Sequence, residues 1–395
     1  MTTAAADFGR RLVVALRRYG TPAHRLEDAM ASFTDRIHLD ARFYVLPSAI
    51  LIDAGGTRIV PMGIGAPALE RMVEVDRLAE RVAQGELTPE EGIEALDRIE
   101  AAPPRWPWWL RWVAPSVVSG AAVPLFGGGW AEVALGALVA LTCSGVAMLL
   151  KERRDAARLI DVLCGALAAF LVHAAAVASD GGVAPHIALL TGLIFLLPGS
   201  TLTTAFTELA TRHWISGTAG VIGGTLTLLL LGFGVAAGEQ VASLVMGPMP
   251  MDAPTPLPRA LIVPALVLLG GAFTVELQAR PKDALEITIA LAVALMGAWI
   301  GGYAIGNLGG AVGAFALTAT SHTLARFHDR PSAVTQVPGI LILVPGSIGF
   351  RSVAALIEHD VMGGVEAAFA TMLSAVGLVV GILLATAVVP PRGAL

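Results

Sequence analysis

Two apolar runs in this chain end in the same three residues. Ile194-Phe195-Leu196-Leu197-Pro198-Gly199-Ser200 and Leu341-Ile342-Leu343-Val344-Pro345-Gly346-Ser347 stand 147 residues apart, counted from Pro198 to Pro345. Proline supplies no backbone donor, and with glycine it interrupts a helix. A helix restarting near Ser200 or Ser347 then presents free N–H groups, which favour a carboxylate. Thr201, Thr203, Thr204, Thr207 and Glu208 line the first restart; Arg351 and Ser352 follow the second. A guanidinium that close to a break can hold a carboxylate by two hydrogen bonds. The chemistry on offer is capture of a small carboxylate-bearing molecule by Pro198, Gly199, Ser200, Thr201, Thr204, Glu208, Pro345, Gly346, Ser347 and Arg351. The same residues also fit a surface helix capped by Ser200, with its hydroxyls bonding their own backbone. Arg351 equally fits a side chain reaching to a membrane interface.

Ionisable groups inside apolar segments are the second signal, because a charge in hydrocarbon costs about 2.5 to 3.5 kcal/mol on the insertion scale. Asp161, His173 and Glu208 are the candidates for carrying protons. Asp161 lies three residues past Arg158 and fits an interfacial ion pair as well. Imidazole side chains are the common proton carriers near neutral pH, which makes His173 a candidate, and a packed, hydrogen-bonded histidine is its plainer reading. Thr318, Thr320, Ser321 and His322 form a polar stripe that aligns with the His173 region at the same spacing.

These residues need a bilayer around them, and the composition supplies that inference. The chain has 395 residues, of which 55% are hydrophobic and 14% charged, with a mean hydropathy of +0.72. Soluble domains carry about 25% charged residues, so the composition is that of a membrane protein. Residues 1–111 hold 14 Lys/Arg and 16 Asp/Glu, 30 of the 57 formal charges. A charged domain therefore precedes a membrane body. The net charge of −5 is mixed in distribution, and no basic patch points to nucleic acid.

The charged part reads as a small α+β domain over 1–105. Phe8, Leu12, Val13, Leu16 and Tyr19 mark an amphipathic helix that Gly20 ends. A helix after Thr21-Pro22 is expected through Leu26, Met30 and Phe33, then strands at 41–45, 49–52 and 57–62 and helices at 68–83 and 89–99. Thr88, with Glu91 three residues on, is the N-cap of the last. Arg10, Arg11, Arg17 and Arg18 interrupt any secretory signal, so the N-terminus is expected in the cytoplasm. Among its acid/base candidates, Asp35, His24, His38 and Asp53 each read better as surface or turn residues. No GxSxG, Walker or HExxH pattern occurs, and no catalysis, cofactor or metal is expected. Cys143 and Cys164 lie in apolar stretches and suggest buried thiols.

Ten apolar segments follow the cluster Pro103-Pro104-Arg105-Trp106-Pro107-Trp108-Trp109, which suits a membrane interface. They run over 112–128, 130–150, 158–178, 186–199, 215–237, 260–277, 285–304, 307–325, 337–350 and 366–389. Most reach the ~20 residues a span requires, and the fourth and ninth do not. With the N-terminus inside, Lys151, Arg153, Arg154, Arg158, Arg212, Arg280, Lys282, Arg326, Arg330 and Arg392 fall on the inner side, against Arg259 and Arg351 outside. That bias supports ten spans with both termini cytoplasmic. The 147-residue spacing also pairs Leu209 with Leu356 and Gly217 with Gly364. Five spans per copy is an odd number, so the copies at 106–257 and 258–395 should form an inverted repeat, a transporter device. Small residues such as Gly220, Gly223 and Gly224 permit close helix approach and leave room for a homo-oligomer.

An amphipathic helix closed by Gly20-Thr21-Pro22, followed by His24-Arg25-Leu26-Glu27-Asp28-Ala29-Met30, resembles the opening of the threonine/serine exporter family. So do the hairpin over 50–60, the helix start Gly85-Glu86-Leu87-Thr88-Pro89-Glu90-Glu91, and the pair Leu197-Pro198-Gly199-Ser200 and Val344-Pro345-Gly346-Ser347. The resemblance covers about residues 8–390 and is specific in its combination. It implies a cytoplasmic-membrane exporter of threonine and serine driven by the proton motive force, with an N-terminal domain sometimes described as hydrolase-like. Other readings of the same residues are an exporter of small dicarboxylates, using Arg351 and Arg212, a membrane-anchored hydrolase, and a channel.

Overall fold

The apolar steps of the first twenty residues decide the local structure. Phe8, Leu12, Val13 and Leu16 share one face of α1 (Thr3–Arg18), and all four are buried. Gly20, at φ +93°, turns the chain in the left-handed region that glycine tolerates. α2 (Ala23–Arg36) then returns Leu26, Met30 and Phe33 to the same core, with Phe33 5.7 Å from Phe8 between ring centroids. The computed structural model describes residues 3–180, 182–250, 255–328, 330–343, 346–357 and 360–391, and leaves aside the side chains of Thr3, Arg154, Ile305, Asn307, Ser347, Ile348, Ala354, Leu356 and Ile357.

Three antiparallel strands follow in sequence order: β1 (Arg42–Val45), β2 (Ala49–Asp53) and β3 (Thr57–Pro61). Phe43 pairs with Ile52, and Ile50 with Val60. The inward residues Phe43, Val45, Ile50 and Ile52 complete the core under α1 and α2. Two helices close the unit, α3 (Leu69–Ala83) and α4 (Pro89–Ala101). Thr88 accepts from Glu91 N–H while the Glu91 carboxylate accepts from Thr88 N–H, the reciprocal cap the sequence predicts.

Beyond residue 107 the chain is helical: α5 (Trp108–Ala122), α6 (Trp130–Leu150), α7 (Arg154–Ala157), α8 (Ile160–Ala178), α9 (Pro185–Gly192), α10 (Gly199–Ala210) and α11 (Trp214–Met246), then α12 (Ile262–Glu276), α13 (Ala284–Ile305), α14 (Gly309–His328), α15 (Ala333–Leu343), α16 (Gly346–Ile357) and α17 (Val361–Val388). Six segments among the described residues are long and apolar enough to cross a membrane: Trp130–Leu150, Ile160–Ala178, Trp214–Met246, Arg259–Glu276, Pro281–Ala304 and Val361–Val388. The protein is a multi-pass helical membrane protein.

The segment expected at 186–199 is not one helix. α9 stops at Gly192, and the chain runs through turns to Gly199. α11 runs to Met246, past the expected end at 237, because nothing breaks its apolar helix before Gly247 at φ +85°.

The order of helices repeats. A shift of 147 residues carries the start of α10 at Gly199 onto that of α16 at Gly346, and the start of α11 at Trp214 onto that of α17 at Val361. Within the halves α8 packs on α11 and α14 on α17; between them α10 packs on α17 and α16 on α11, and α10 touches α16.

Glycines set the helix spacing. A Cβ at Gly165, Gly234 or Gly238 would run into the facing backbone of the α8–α11 pair. On α11, Gly217, Gly220 and Gly224 face α10, whereas Gly223 faces open space. In Gly220→Ala the new Cβ would lie 2.7 Å from the Ala205 Cβ. That variant is expected to lose about 1 to 3 kcal/mol by overpacking, seen as a lower thermal midpoint, while Gly223→Ala leaves it in place.

Candidate functional site

The break after α9 leaves backbone groups free. Pro198 occupies the N-cap of α10 at φ −78°, ψ 40°, and no side chain caps the helix, so Ser200 is not the cap that one reading expects. Gly199 N–H donates to Leu197 O at 2.8 Å and Leu202 N–H to Pro198 O at 2.9 Å. The N–H groups of Ser200 and Thr201 find no acceptor among the described residues. Thr201 is exposed and Thr204 half-buried, while Thr207 bonds back to Thr203 O at 2.8 Å. The buried Thr203 hydroxyl has no partner among the described residues.

In the second half, α16 starts at the buried Gly346. Pro345 and Arg392 lie outside the described residues, as do the side chains of Ser347 and Leu356. Arg351 is exposed, and the buried Ser352 donates to Gly364 O at 2.6 Å. Phe350 and Val353 of α16 are buried in one cluster with Leu202 and Leu228 of the first half. The two restarted helices therefore meet at the junction of the halves.

Glu208 lies near the other end of α10, nine residues past its start at Gly199. Its side chain is in the protein interior, at 6% exposure, and Oε1 accepts from Ala23 N–H at 2.9 Å. Ala23 is the first residue of α2, so the carboxylate sits on the positive end of that helix dipole. Arg17 lies beside it, buried, donating to Thr21 O and Leu46 O at 3.3 Å each. Glu27 accepts from Val45 N–H at 2.7 Å and stands 3.3 Å from His213 Nε2. Ser216 of α11 donates to Val45 O at 3.1 Å. Arg25 donates to Gln336 of α15, whose amide donates to Thr318 of α14 at 3.2 Å. The ring of His24 lies 6.2 Å from that of His213.

Burial dominates the electrostatics here. It raises the Glu208 carboxyl above its ordinary range, against the Ala23 bond and the charges of Arg17 and His213, with Glu27 adding to the rise. Burial, then Arg25 and His213, pushes the His24 imidazole down to about 3. Burial also lowers Arg17 and Arg25.

A second seam joins the N-terminal unit to the membrane body. Leu69 N–H donates to Leu277 O at 2.9 Å, Glu70 N–H to Gln278 O at 3.0 Å, and the Trp106 indole to Ala279 O at 2.9 Å. Trp106 thus faces protein, while Trp108 and Trp109 are exposed. Arg105 grips Glu70 by two bonds of 2.6 and 2.5 Å, with Arg280 3.5 Å away.

The three proton-carrying candidates do not meet. Asp161 is half-buried in the first turn of α8, and Arg158 pairs with Asp155 at 3.6 Å rather than with Asp161. His173 is buried, with Nε2 2.9 Å from Gly247 O. No hydrogen bond or ion pair among the described residues joins Asp161, His173 and Glu208.

Two polar residues escape the sequence reading. Glu132 in α6 accepts from Gly129 N–H at 2.6 Å and from Ala184 N–H at 2.7 Å, fixing the entry to α9. Gln336, with Thr318, receives Arg25. Glu132 stands within an apolar segment, so the criterion that found Asp161 would have found it, whereas Gln336 carries no ionisable group and gives that criterion no signal. His24 was an acid/base candidate of the N-terminal unit and instead lies at its junction with the membrane body. Cys143 and Cys164 are free and buried. Among the described residues no group of three or more His, Cys, Asp or Glu could hold a metal ion.

A family model described as "Putative threonine/serine exporter" matches residues 7–242, and one described as a threonine/serine exporter matches 288–388. A protein called "Probable threonine/serine exporter" from Mycobacterium tuberculosis is 27% identical over 338 residues, covering 80% of this chain and 62% of its own length. "Pheromone-regulated membrane protein 10" of Eremothecium gossypii is 20% identical over 359 residues, with coverage of 87% and 48%. The Yarrowia lipolytica protein of the same name is 23% identical, with coverage of 89% and 30%. The chain spans about half the length of the curated relatives it matches. No solved structure matches it.

Proposed function

Since this chain belongs to the threonine/serine exporter family, we propose that it exports threonine, serine or a similar small hydroxy amino acid, coupled to proton entry, by alternating access between two inverted repeats. In this reading it lies in the cytoplasmic membrane as ten spans with both termini inside. The observation that carries the reading is the contact of α10 with α16, two helices that start at equivalent positions of the two halves and exchange neighbours crosswise. Free N–H groups at Ser200 and Thr201 would take the substrate carboxylate, and Thr204 and Ser347 would offer hydroxyl partners. Glu208, Asp161 and His173 are the proton carriers to be tested, and the exposed Arg351 is a further carboxylate partner. The N-terminal unit of residues 1–105 acts as a gate on the cytoplasmic mouth, with Glu208 and Arg25 at its seat.

Inverted membrane vesicles test this, because uptake there corresponds to export. Energised vesicles should accumulate radiolabelled threonine, and a protonophore should reduce accumulation to equilibration. Arg351→Ala should raise the half-saturating threonine concentration. Uptake of a four-carbon dicarboxylate in place of threonine would overturn the substrate, and indifference to the protonophore would overturn the coupling.

A further inference from the structure

Arg77, Arg280, Lys282 and Arg330 gather around one cleft with Asp283, Glu286 and His328. The cleft of about 150 Å³ lies between α3 of the N-terminal unit and the polar ends of α13 and α14. At ~30 Å³ per water that is room for a phosphate group. Its carboxylates are already occupied. Asp283 and Glu286 both pair with Arg330, and Glu286 also lies 3.7 Å from His328 Nδ1. Arg280 shares Glu70 with Arg105. The Arg330 and Arg280 side chains form the floor, 8% and 16% exposed. Arg77 and Lys282 form the rim, exposed and without an acidic partner among the described residues. Among the described residues the surplus charge is positive and comes from both sides of the cleft.

The surroundings fix its depth. Leu285, three residues into the chain from Lys282, is 69% exposed, and Phe327, beside His328, is 80% exposed. Leu285 lies on the membrane-crossing α13 and Phe327 on α14 packed against it, so the surface changes there from cationic to apolar, as it does at headgroup level.

We infer that this cleft binds a phosphate group, that of an anionic phospholipid headgroup or of free phosphate, between Arg77 of the N-terminal unit and Lys282 of the membrane body. Guanidinium groups match phosphate oxygens in pairs, and the lysine adds a point charge. A bound phosphate ties the two parts of the molecule together beside the Leu69–Leu277 and Glu70–Gln278 bonds.

The test uses the full chain in detergent and the Arg77→Gln/Lys282→Gln double variant, whose altered side chains are exposed and leave the Arg330 pairs in place. Native mass spectrometry is run with phosphatidylglycerol and with phosphatidylcholine, and thermal midpoints are read with and without inorganic phosphate. At least tenfold more phosphatidylglycerol than phosphatidylcholine should stay bound, and the double variant should lose that preference. A phosphate-dependent rise in midpoint that the variant loses, without lipid preference, assigns the site to free phosphate. Equal lipid retention and equal midpoints in both proteins overturn the inference.

Discussion

Glu208→Ala is expected to unseat the N-terminal end of α2 from the membrane body, with amide exchange over residues 21–30 rising about tenfold to a thousandfold. Two losses combine. The carboxylate at a buried helix N-terminus contributes up to about 2 kcal/mol, and the Ala23 N–H, now without its 2.9 Å acceptor, costs about 1 to 3 kcal/mol if it stays buried. Each 1.4 kcal/mol is a factor of ten. Glu208→Gln separates gate from proton carrier, because its amide oxygen can still accept from Ala23 while it cannot titrate. Exchange near the wild-type level with loss of protonophore-sensitive threonine uptake would make Glu208 a coupling residue. Unchanged uptake in Glu208→Gln would leave it only the seat of the gate. Wild-type exchange in Glu208→Ala would remove Glu208 from the seat.

What the sequence made legible was whatever short-range pattern controls. The Thr88 cap, the three strands and the restart of helices at Gly199 and Gly346 follow from capping chemistry, alternation and proline placement. The unwinding between Gly192 and Gly199 lay in the same motif, but its extent did not, since the turns there depend on packing by α6 and α8. Long-range partners were invisible. Glu208 meets Ala23 across 185 positions, and Arg25 meets Gln336 across 311. No spacing rule links such pairs. Glu208 reads in sequence as a substrate or proton group and is found holding a helix of another unit, which is why its two roles need separate variants.

Acidification is expected to loosen the same seat, and His24 sets the sign. Docked, its imidazole is held at about 3 by burial, Arg25 and His213; released into water, it returns to its ordinary value near 6.5. The docked form refuses a proton that the released form accepts. Docking is therefore fully retained above pH 6.5 and weakens as pH falls toward 3. At about 1.4 kcal/mol per pH unit, lowering the pH from 6.5 to 5 costs docking about 2 kcal/mol. Glu208 opposes this, because burial raises its carboxyl and docking then takes up a proton. Arg17, Arg25, Glu27 and His213 surround both groups and set the background charge. Exchange over residues 21–30, corrected for intrinsic rates, should rise between pH 7.5 and 5 in the wild type. It should rise more steeply in Glu208→Gln, where the opposing proton is gone, and fall in His24→Asn, where only the Glu208 proton remains. A steep rise in His24→Asn would move the sensor to another group. Under the proposed function, in which protons enter with each exported amino acid and the N-terminal unit gates the cytoplasmic mouth, a seat that acid loosens would open that mouth where those protons arrive.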